Sequence, residues 1–388
     1  MSSSTLPRIS DDARRARLGS RHLLAPAHRA ATVEEVADAV VGLHATDAAT
    51  VYLSACARLV EPDPAEVERG LYDDVTLIKL WSMRSTIFAV SIDAAPCVEY
   101  STARPVALRA RAGLLKALGE TWDEHRLAAT EQAVLEALAA RGEATTAELA
   151  KDVPALQEKI TMSPGKPYEA RQSVGSRVLR LLASDGHVRR SRPRGSWTSS
   201  LYAWAPAPRV PEMPEREARA ELVRRWLTSY GPSTEADLKW WTGWSLRDTR
   251  AALADVGAVG VRLDRGPGLA LPDDLEHAEP TGDWAALLPG LDPTAMGWRE
   301  RDWYLDPEHV PFLFDRAGNI GPTVWWNGRI VGGWAQRANG EIVWRALADT
   351  GRDAAAAVEA EAGRLAAWLG GVRVTPRFRT PLERELVR

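Results

Sequence analysis

Apolar positions recur along this chain at two periods, and the periods alternate in an order that occurs twice. Within 130–140, Val134, Leu135 and Leu138 have helical spacing. Thr145-Thr146-Ala147-Glu148-Leu149 follows, with Thr145 and Glu148 set as a capping box for a short helix. A longer amphipathic helix is expected over 173–184, stopped by Asp185-Gly186. Strand-like alternation then runs over 188–204 and turns at Pro193-Arg194-Gly195. Thr234-Glu235-Ala236-Asp237-Leu238 opens the same plan again, and Leu253-Ala254-Asp255-Val256-Gly257-Ala258-Val259 matches Leu182-Ala183-Ser184-Asp185-Gly186-His187-Val188. The offsets are 89 residues from Leu149 to Leu238 and 71 from Gly186 to Gly257, so the first copy carries 18 more. The surplus falls near 156–168, where alternation around Pro164-Gly165 suggests an extra hairpin. A short capped helix, a longer helix ending at glycine and a hairpin form the plan of a winged helix, which serves mostly to hold DNA.

A more divergent copy is expected upstream. Thr32 and Glu35 form a capping box for a helix reaching Gly42, Leu43-His44-Ala45-Thr46-Asp47 is a break, and a second helix starts at Ala48. The alternating stretch 80–90 is its hairpin, and 94–118 is a basic helical connector. A proline-rich linker covers 206–214. From Trp284 the pattern turns to strands, with hairpin signals at Asn327-Gly328 and Asn339-Gly340, and one helix over 353–369. Eight of the 16 tryptophans lie between Trp284 and Trp368, which suggests a core built on them. The fold class expected is α+β, with three tandem winged-helix (helix-turn-helix) units and a β-rich C-terminal domain. The divisions are 8–120 (first unit, candidate catalytic loop and connector), 121–206, 215–275 and 283–388.

Composition narrows the function classes. With 388 residues, 45% of them hydrophobic, the chain can bury several cores. Cys56 and Cys97 sit in apolar surroundings without metal-ligand spacing and read as reduced core residues in a cytoplasm. No apolar run is long enough to span a bilayer, so no membrane role is expected. Nothing suggests a cofactor or a metal: there is no Cys/His cluster, phosphate-binding glycine loop or Gly-x-Ser-x-Gly elbow. Glu300, Asp302 and Asp306 stand among arginines and read as surface pairing.

The net charge of −3 hides a local excess. Lys166, Arg171, Arg177, Arg180, Arg189, Arg190, Arg192 and Arg194 face only Glu169 and Asp185, a balance of +6. Such a run is either a solvated surface or a phosphate-binding wing with its recognition helix. Arginine suits the second role, because its planar fork meets phosphate oxygens bidentately. In the third unit Arg247 and Arg250 are balanced by Asp248 and Asp255, so that unit looks structural.

Five segments carry a resemblance: Gly42-Leu43-His44-Ala45-Thr46-Asp47, Met83-Arg84-Ser85-Thr86, Gly175-Ser176-Arg177-Val178-Leu179, Leu287-Leu288-Pro289-Gly290-Leu291-Asp292 and Gly321-Pro322-Thr323-Val324. With the three winged helices and β-rich tail, the chain resembles, over nearly its whole length, the AlkZ-like and YcaQ-like DNA glycosylases. The resemblance implies excision of alkylated purines and unhooking of interstrand crosslinks, in repair or self-resistance. It implies a partner of double-stranded, alkylated or crosslinked DNA, and a monomer in the cytoplasm associated with the nucleoid. The family's pair of glutamine, one residue, then glutamine or aspartate is replaced here by His44-Ala45-Thr46. His44 can accept from water through one ring nitrogen, Thr46 offers a hydroxyl, and Asp47 offers negative charge near C1′. The plainer readings are a helix-break plug for His44, a local backbone bond for Thr46 and the N-cap of the next helix for Asp47, with Thr50 at N3. Arg84 matches an arginine of the family and can clamp a phosphate; otherwise it pairs with Asp73 or Asp74. Tyr52 reads as core. The alternatives are a DNA-binding lesion sensor or transcriptional regulator without catalysis, and a scaffold whose winged helices bind protein.

Overall fold

The computed structural model describes residues 6–388 except 163, 164, 166–168, 277–280 and 377. It is a mixed α+β fold in which one order of elements occurs three times. After β1 (Arg8–Ile9) and α1 (Asp11–Arg21), the first occurrence is α2 (Val33–Ala39), β2 (Leu43–His44), α3 (Ala48–Cys56), α4 (Pro64–Glu68), β3 (Leu77–Trp81) and β4 (Ile87–Ser91). The Thr32–Glu35 capping box is present, and Gly42 leaves the helix at φ +105°. The sheet order is β2-β4-β3, so the short strand between the helices closes onto the last strand of the hairpin.

Residues 95–118 follow as α5 (Ala95–Val98), a π-helical turn and α6 (Arg104–Leu118). The second occurrence is α7 (Glu124–Arg141), α8 (Thr146–Asp152), the inserted hairpin of β5 (Lys159–Met162) and β6 (Ala170–Ser173), α9 (Val174–Ser184), β7 (Val188–Pro193) and β8 (Tyr202–Pro206). Here a single bridge, Ala144 to Trp204 of β8, replaces the short strand. The third occurrence is α10 (Glu215–Tyr230), α11 (Glu235–Thr242), α12 (Leu246–Asp255), β9 (Val259–Leu263) and β10 (Gly266–Ala270), with Ser233 bridged to Leu269 of β10. Both repeated capping boxes, at Thr145 and Thr234, form as the sequence predicts. One feature departs from the expected division at residue 8: β1 runs parallel to β9 and joins the third sheet. Arg21 of α1 likewise pairs with Asp274.

The C-terminal part holds β11 (Ala285–Leu288), α13 (Val310–Leu313), β12 (Thr323–Trp326), β13 (Arg329–Gln336), β14 (Ile342–Ala346), α14 (Gly351–Leu369) and α15 (Pro381–Leu386). Its four strands form an antiparallel sheet in chain order, and α14 packs on β11. Asn327 and Gly328 both take positive φ, as a type I′ turn requires. The second signal resolves differently. At Asn339-Gly340 only Gly340 has positive φ, and its N–H donates to Arg337, so a turn followed by a left-handed glycine joins β13 to β14. Trp298, Trp303 and Trp325 are fully buried with Tyr230 and Tyr304 in one aromatic cluster that spans the third repeat and the C-terminal sheet.

The first repeat is tied to the C-terminal part by a buried ion pair. Arg58 reaches Asp292 at 2.7 and 2.9 Å, and both side chains are fully buried. Ser54 and the Thr294 N–H also donate to Asp292. Cys56 and Cys97 are free and buried, and burial pushes their thiols up to about 11 and about 12.

Candidate functional site

The break after α2 is where sequence placed the chemistry, and the structure divides its residues between two surroundings. His44 ends β2 opposite Phe88 of β4 and sets its ring edge-on to that phenyl, with centroids 5.2 Å apart. It is 3% exposed, and its Nδ1 has no hydrogen-bond partner. Burial, then the nearby Arg84 charge, pushes its pKa down to about 3, against a weaker pull from Asp292. The imidazole is therefore neutral at physiological pH.

Thr46 and Asp47 lie on the other side of this boundary. Both line a mostly apolar cleft between the start of α3 and the C-terminal part. Opposite them stand Leu291, Trp334, Phe378 and the polar groups Gln336 and Glu383. Burial raises the Glu383 carboxyl to about 7, opposed by its capping bonds to Thr380. The Thr46 hydroxyl accepts from the Ile87 N–H at 3.4 Å. Asp47 caps α3 by accepting from the Ala49 N–H at 3.2 Å. Thr50 does not complete that cap: its hydroxyl donates to the Gly290 carbonyl at 3.2 Å. The three candidates thus do not converge on one surface; Thr46 and Asp47 share the cleft, and His44 is sealed behind the sheet. Tyr52 is buried and stacked on Trp197, in keeping with a core role.

Arg84 sits at the tip of the β3–β4 hairpin. The aspartates expected as its partners are engaged elsewhere, Asp73 with Arg192 at 2.7 Å and Asp74 with Arg69 at 2.6 Å. Arg84 instead lies on the indole of Trp240 in α11.

The basic stretch is docked against the first repeat. Arg177 and Arg180 come one turn apart on the outer face of α9, whose inner face buries Val174, Val178, Leu181 and Leu182. Neither forms an ion pair with a described carboxylate, and burial lowers both pKa values. Arg180 and Arg190 approach the Trp81 ring to 5.4 and 4.7 Å, and Arg190 also lies 4.2 Å from the Tyr202 ring. Arg189 is half-buried with its charge penalised by burial. Arg192 departs from the free wing cation that sequence suggests, because Glu68 and Asp73 of the first repeat hold it. Those acids lie more than a hundred residues away, and no local count reveals them. Arg194 is exposed and only 3.5 Å from Glu148. Asp185, the acid nearest in sequence, pairs with Arg111. Lys166 lies outside the described residues.

Sequence reasoning missed Lys79. It occupies β3 two residues before Trp81, and its Nζ donates to the Tyr72 hydroxyl at 2.6 Å. Burial, then Arg190 and Arg189, lowers it to about 7. The available signal was Lys79 as the single polar position in Leu77–Trp81. Among the described residues no group of His, Cys, Asp and Glu is arranged to hold a metal ion, and no helix is long and apolar enough to cross a membrane.

This repeated architecture, with a polar break after the first helix, belongs to a known class. The chain is a member of the AlkZ-like DNA glycosylase family, whose model matches residues 37–368. Among its relatives is an interstrand DNA cross-link repair glycosylase of Streptomyces sahachiroi, 27% identical over 365 residues, covering 89% of this chain and 93% of that protein. The solved structure of the Streptomyces sahachiroi DNA glycosylase AlkZ shares the fold, with a TM-score of 0.69 and 22% identity over 95% of this chain and 99% of that one.

Proposed function

We propose that this chain is a monofunctional DNA glycosylase that hydrolyses the N-glycosidic bond of alkylated purines in duplex DNA and acts on interstrand crosslinks. The observation that carries the reading is that Thr46, the second position of the segment matching the family's polar pair, and the adjoining Asp47 line a cleft in a chain that the family model covers from residue 37 to 368. The three repeats are winged helices, since each runs helix, short strand or bridge, helix, helix, hairpin, with the short strand closing on the last. They correspond to the divisions 8–120, apart from β1, which adds to the third sheet, 121–206 and 215–275, ahead of a β-rich domain over 283–388. The protein works as a monomer in the cytoplasm, on the nucleoid.

A purine alkylated at N7 or N3 is cationic, so its bond to C1′ is already weakened and strong acid catalysis is unnecessary. The residues need only place a water and stabilise the oxocarbenium-like sugar. Asp47 supplies negative charge beside C1′. The C1′–N bond breaks with its electron pair going to the cationic base, which leaves neutral, and the Thr46 hydroxyl orients the water whose oxygen bonds C1′ while one of its protons passes to Asp47 or solvent. His44 acts as a neutral imidazole, with its unpartnered Nδ1 accepting from water. Arg177, Arg180, Arg189, Arg190 and Arg194, with Lys166 and Arg84, contact phosphates, and Arg192 positions the wing on the first unit.

One observation favours a second reading, a lesion sensor without catalysis: His44 is buried and Asp47 serves as a helix cap. Competition binding combined with base release separates the two. A glycosylase binds duplex containing 7-methylguanine more tightly than undamaged duplex, whatever the flanking sequence, and releases the free base. Preference for damage with no base release is the sensor; preference for one sequence is a regulator.

A further inference from the structure

At the tip of the β3–β4 hairpin, Arg84 and Ser85 have φ of 52° and 61°. Two consecutive residues with side chains in the left-handed region persist only where surroundings hold them, and such strain gathers at functional sites. Arg84 is held by Trp240, whose ring centroid lies 3.8 Å from the guanidinium carbon. The same indole takes a second guanidinium, that of Arg301, at 4.9 Å, and Arg301 also lies 5.4 Å from the Phe314 ring. A hairpin of the first repeat, a helix of the third and a loop of the C-terminal part thus bring two cations onto one aromatic ring.

What this cluster lacks is an anion. Neither arginine forms an ion pair with a described carboxylate, and each has a buried Nε without a hydrogen-bond partner. Of the acids on the same elements, Glu235 pairs with Arg250 and Asp302 with Arg265, Asp237 accepts from the Arg299 and Glu300 backbone N–H groups and Asp315 from Asn319, and Glu300, next to Arg301, forms no ion pair with either arginine. Burial, then the Arg301 charge, lowers Arg84 to about 10, as expected for half-buried like charges side by side. Cation–π contact holds the pair together but does not neutralise it. Along the same strand, running up to the tip, Lys79 and Trp81 meet Arg180, Arg189 and Arg190. The β3–β4 hairpin therefore has cations from the second repeat along its strand and from the C-terminal part at its tip.

We propose that Arg84 and Arg301, braced on Trp240, form a further anion site that takes one backbone phosphate of the DNA, extending the track that starts at the Arg177–Arg194 face. The inference rests on the DNA-binding reading above. The guanidiniums donate to the phosphate oxygens and Trp240 keeps the pair rigid, so the site reads backbone and not base.

The test is binding of the full-length protein to an undamaged oligonucleotide duplex, followed by fluorescence anisotropy across a series of potassium chloride concentrations. Arg301→Gln, Arg301→Lys and Trp240→Leu are compared with wild type and with Arg177→Ala/Arg180→Ala as the wing control. Loss of one phosphate contact lowers the slope of log affinity against log salt by about one unit. That drop is expected for Arg301→Gln and Trp240→Leu, with Arg301→Lys restoring most of it because charge is kept. A salt slope that a folding defect would not selectively change, together with an unshifted thermal midpoint for Arg301→Gln, separates contact from structure. If the wing control loses slope and Arg301→Gln keeps the wild-type value, this site is overturned and the DNA-binding reading stands. If wild type itself shows no salt-dependent binding, the DNA-binding reading falls first.

Discussion

At the residue scale, the contrast between His44 and Asp47 sets what can be tested. His44 is neutral down to about pH 3, so base release should show no inflection from a histidine between pH 5 and 8; a step there that His44→Gln abolishes would contradict the structure. His44→Ala should reduce base release by about a hundredfold, the low end for a lost proton-handling group, while duplex affinity stays within twofold in the same anisotropy assay. His44→Gln restores the amide of the family pattern and should retain most of the activity. Lys79 gives the opposite pH behaviour. A lysine whose pKa is about 7 is charged below that value and neutral above it, and phosphate favours the charged form. Duplex affinity should fall as pH rises from 6 to 8.5, and Lys79→Met should flatten the dependence. The position of these groups was only half legible in the sequence. The capping pattern places the break at 43–47 and Asp47 at the head of α3. Which way His44 faces depends on its pairing with Phe88 across β2 and β4, and that register is set by the sheet.

At the scale of elements, the helices and hairpins of the second and third repeats follow the sequence closely, because their signals are local. Capping boxes, helix-ending Gly257 and Gly186, and the alternation around Pro164-Gly165 each lie within a few residues of the structure they specify. The wing is different. Eight cations against two acids suggest a free basic surface, yet Glu68 and Asp73 reach across to Arg192, and aromatic rings from two repeats take Arg180 and Arg190. Long-range partners of this kind leave no trace in local charge. The arginines should therefore separate in experiment. Arg194→Ala, exposed and weakly paired, should lower the salt slope of duplex binding by about one unit. Arg192→Ala should leave the slope nearly unchanged and cost about 0.2–1 kcal/mol of stability, since its ion pairs are largely exposed. Equal loss of slope in both variants would mean that Arg192 leaves Glu68 and Asp73 to meet DNA.

At the scale of the whole molecule, the repeats are joined by contacts that composition does not announce. β1 adds to the third sheet, the Tyr230–Trp298–Tyr304–Trp325 cluster spans the third repeat and the C-terminal sheet, and Arg58–Asp292 locks the end of α3 to the loop after β11. The tryptophan-built core was legible from the crowding of tryptophans after Trp284; the clamp was not, because an arginine and an aspartate so far apart in sequence carry no mark of pairing. Removing one partner leaves a buried charge alone. Arg58→Ala should thus cost about 3–5 kcal/mol in denaturant unfolding, and a loss near zero would show that the clamp is solvated.

The clamp bears on function because Asp292 directly follows Gly290 and Leu291, which wall the cleft that Thr46 and Asp47 line. The most direct test of the glycosylase account is the count of alkali-labile abasic sites formed in duplex DNA carrying 7-methylguanine, and in parallel in a nitrogen-mustard crosslink, by wild type and Asp47→Ala. Abasic sites from wild type that fall by about a hundredfold or more in Asp47→Ala are the predicted result. No abasic sites on either substrate, from protein that binds both tightly, would contradict catalysis and leave a damage-binding protein.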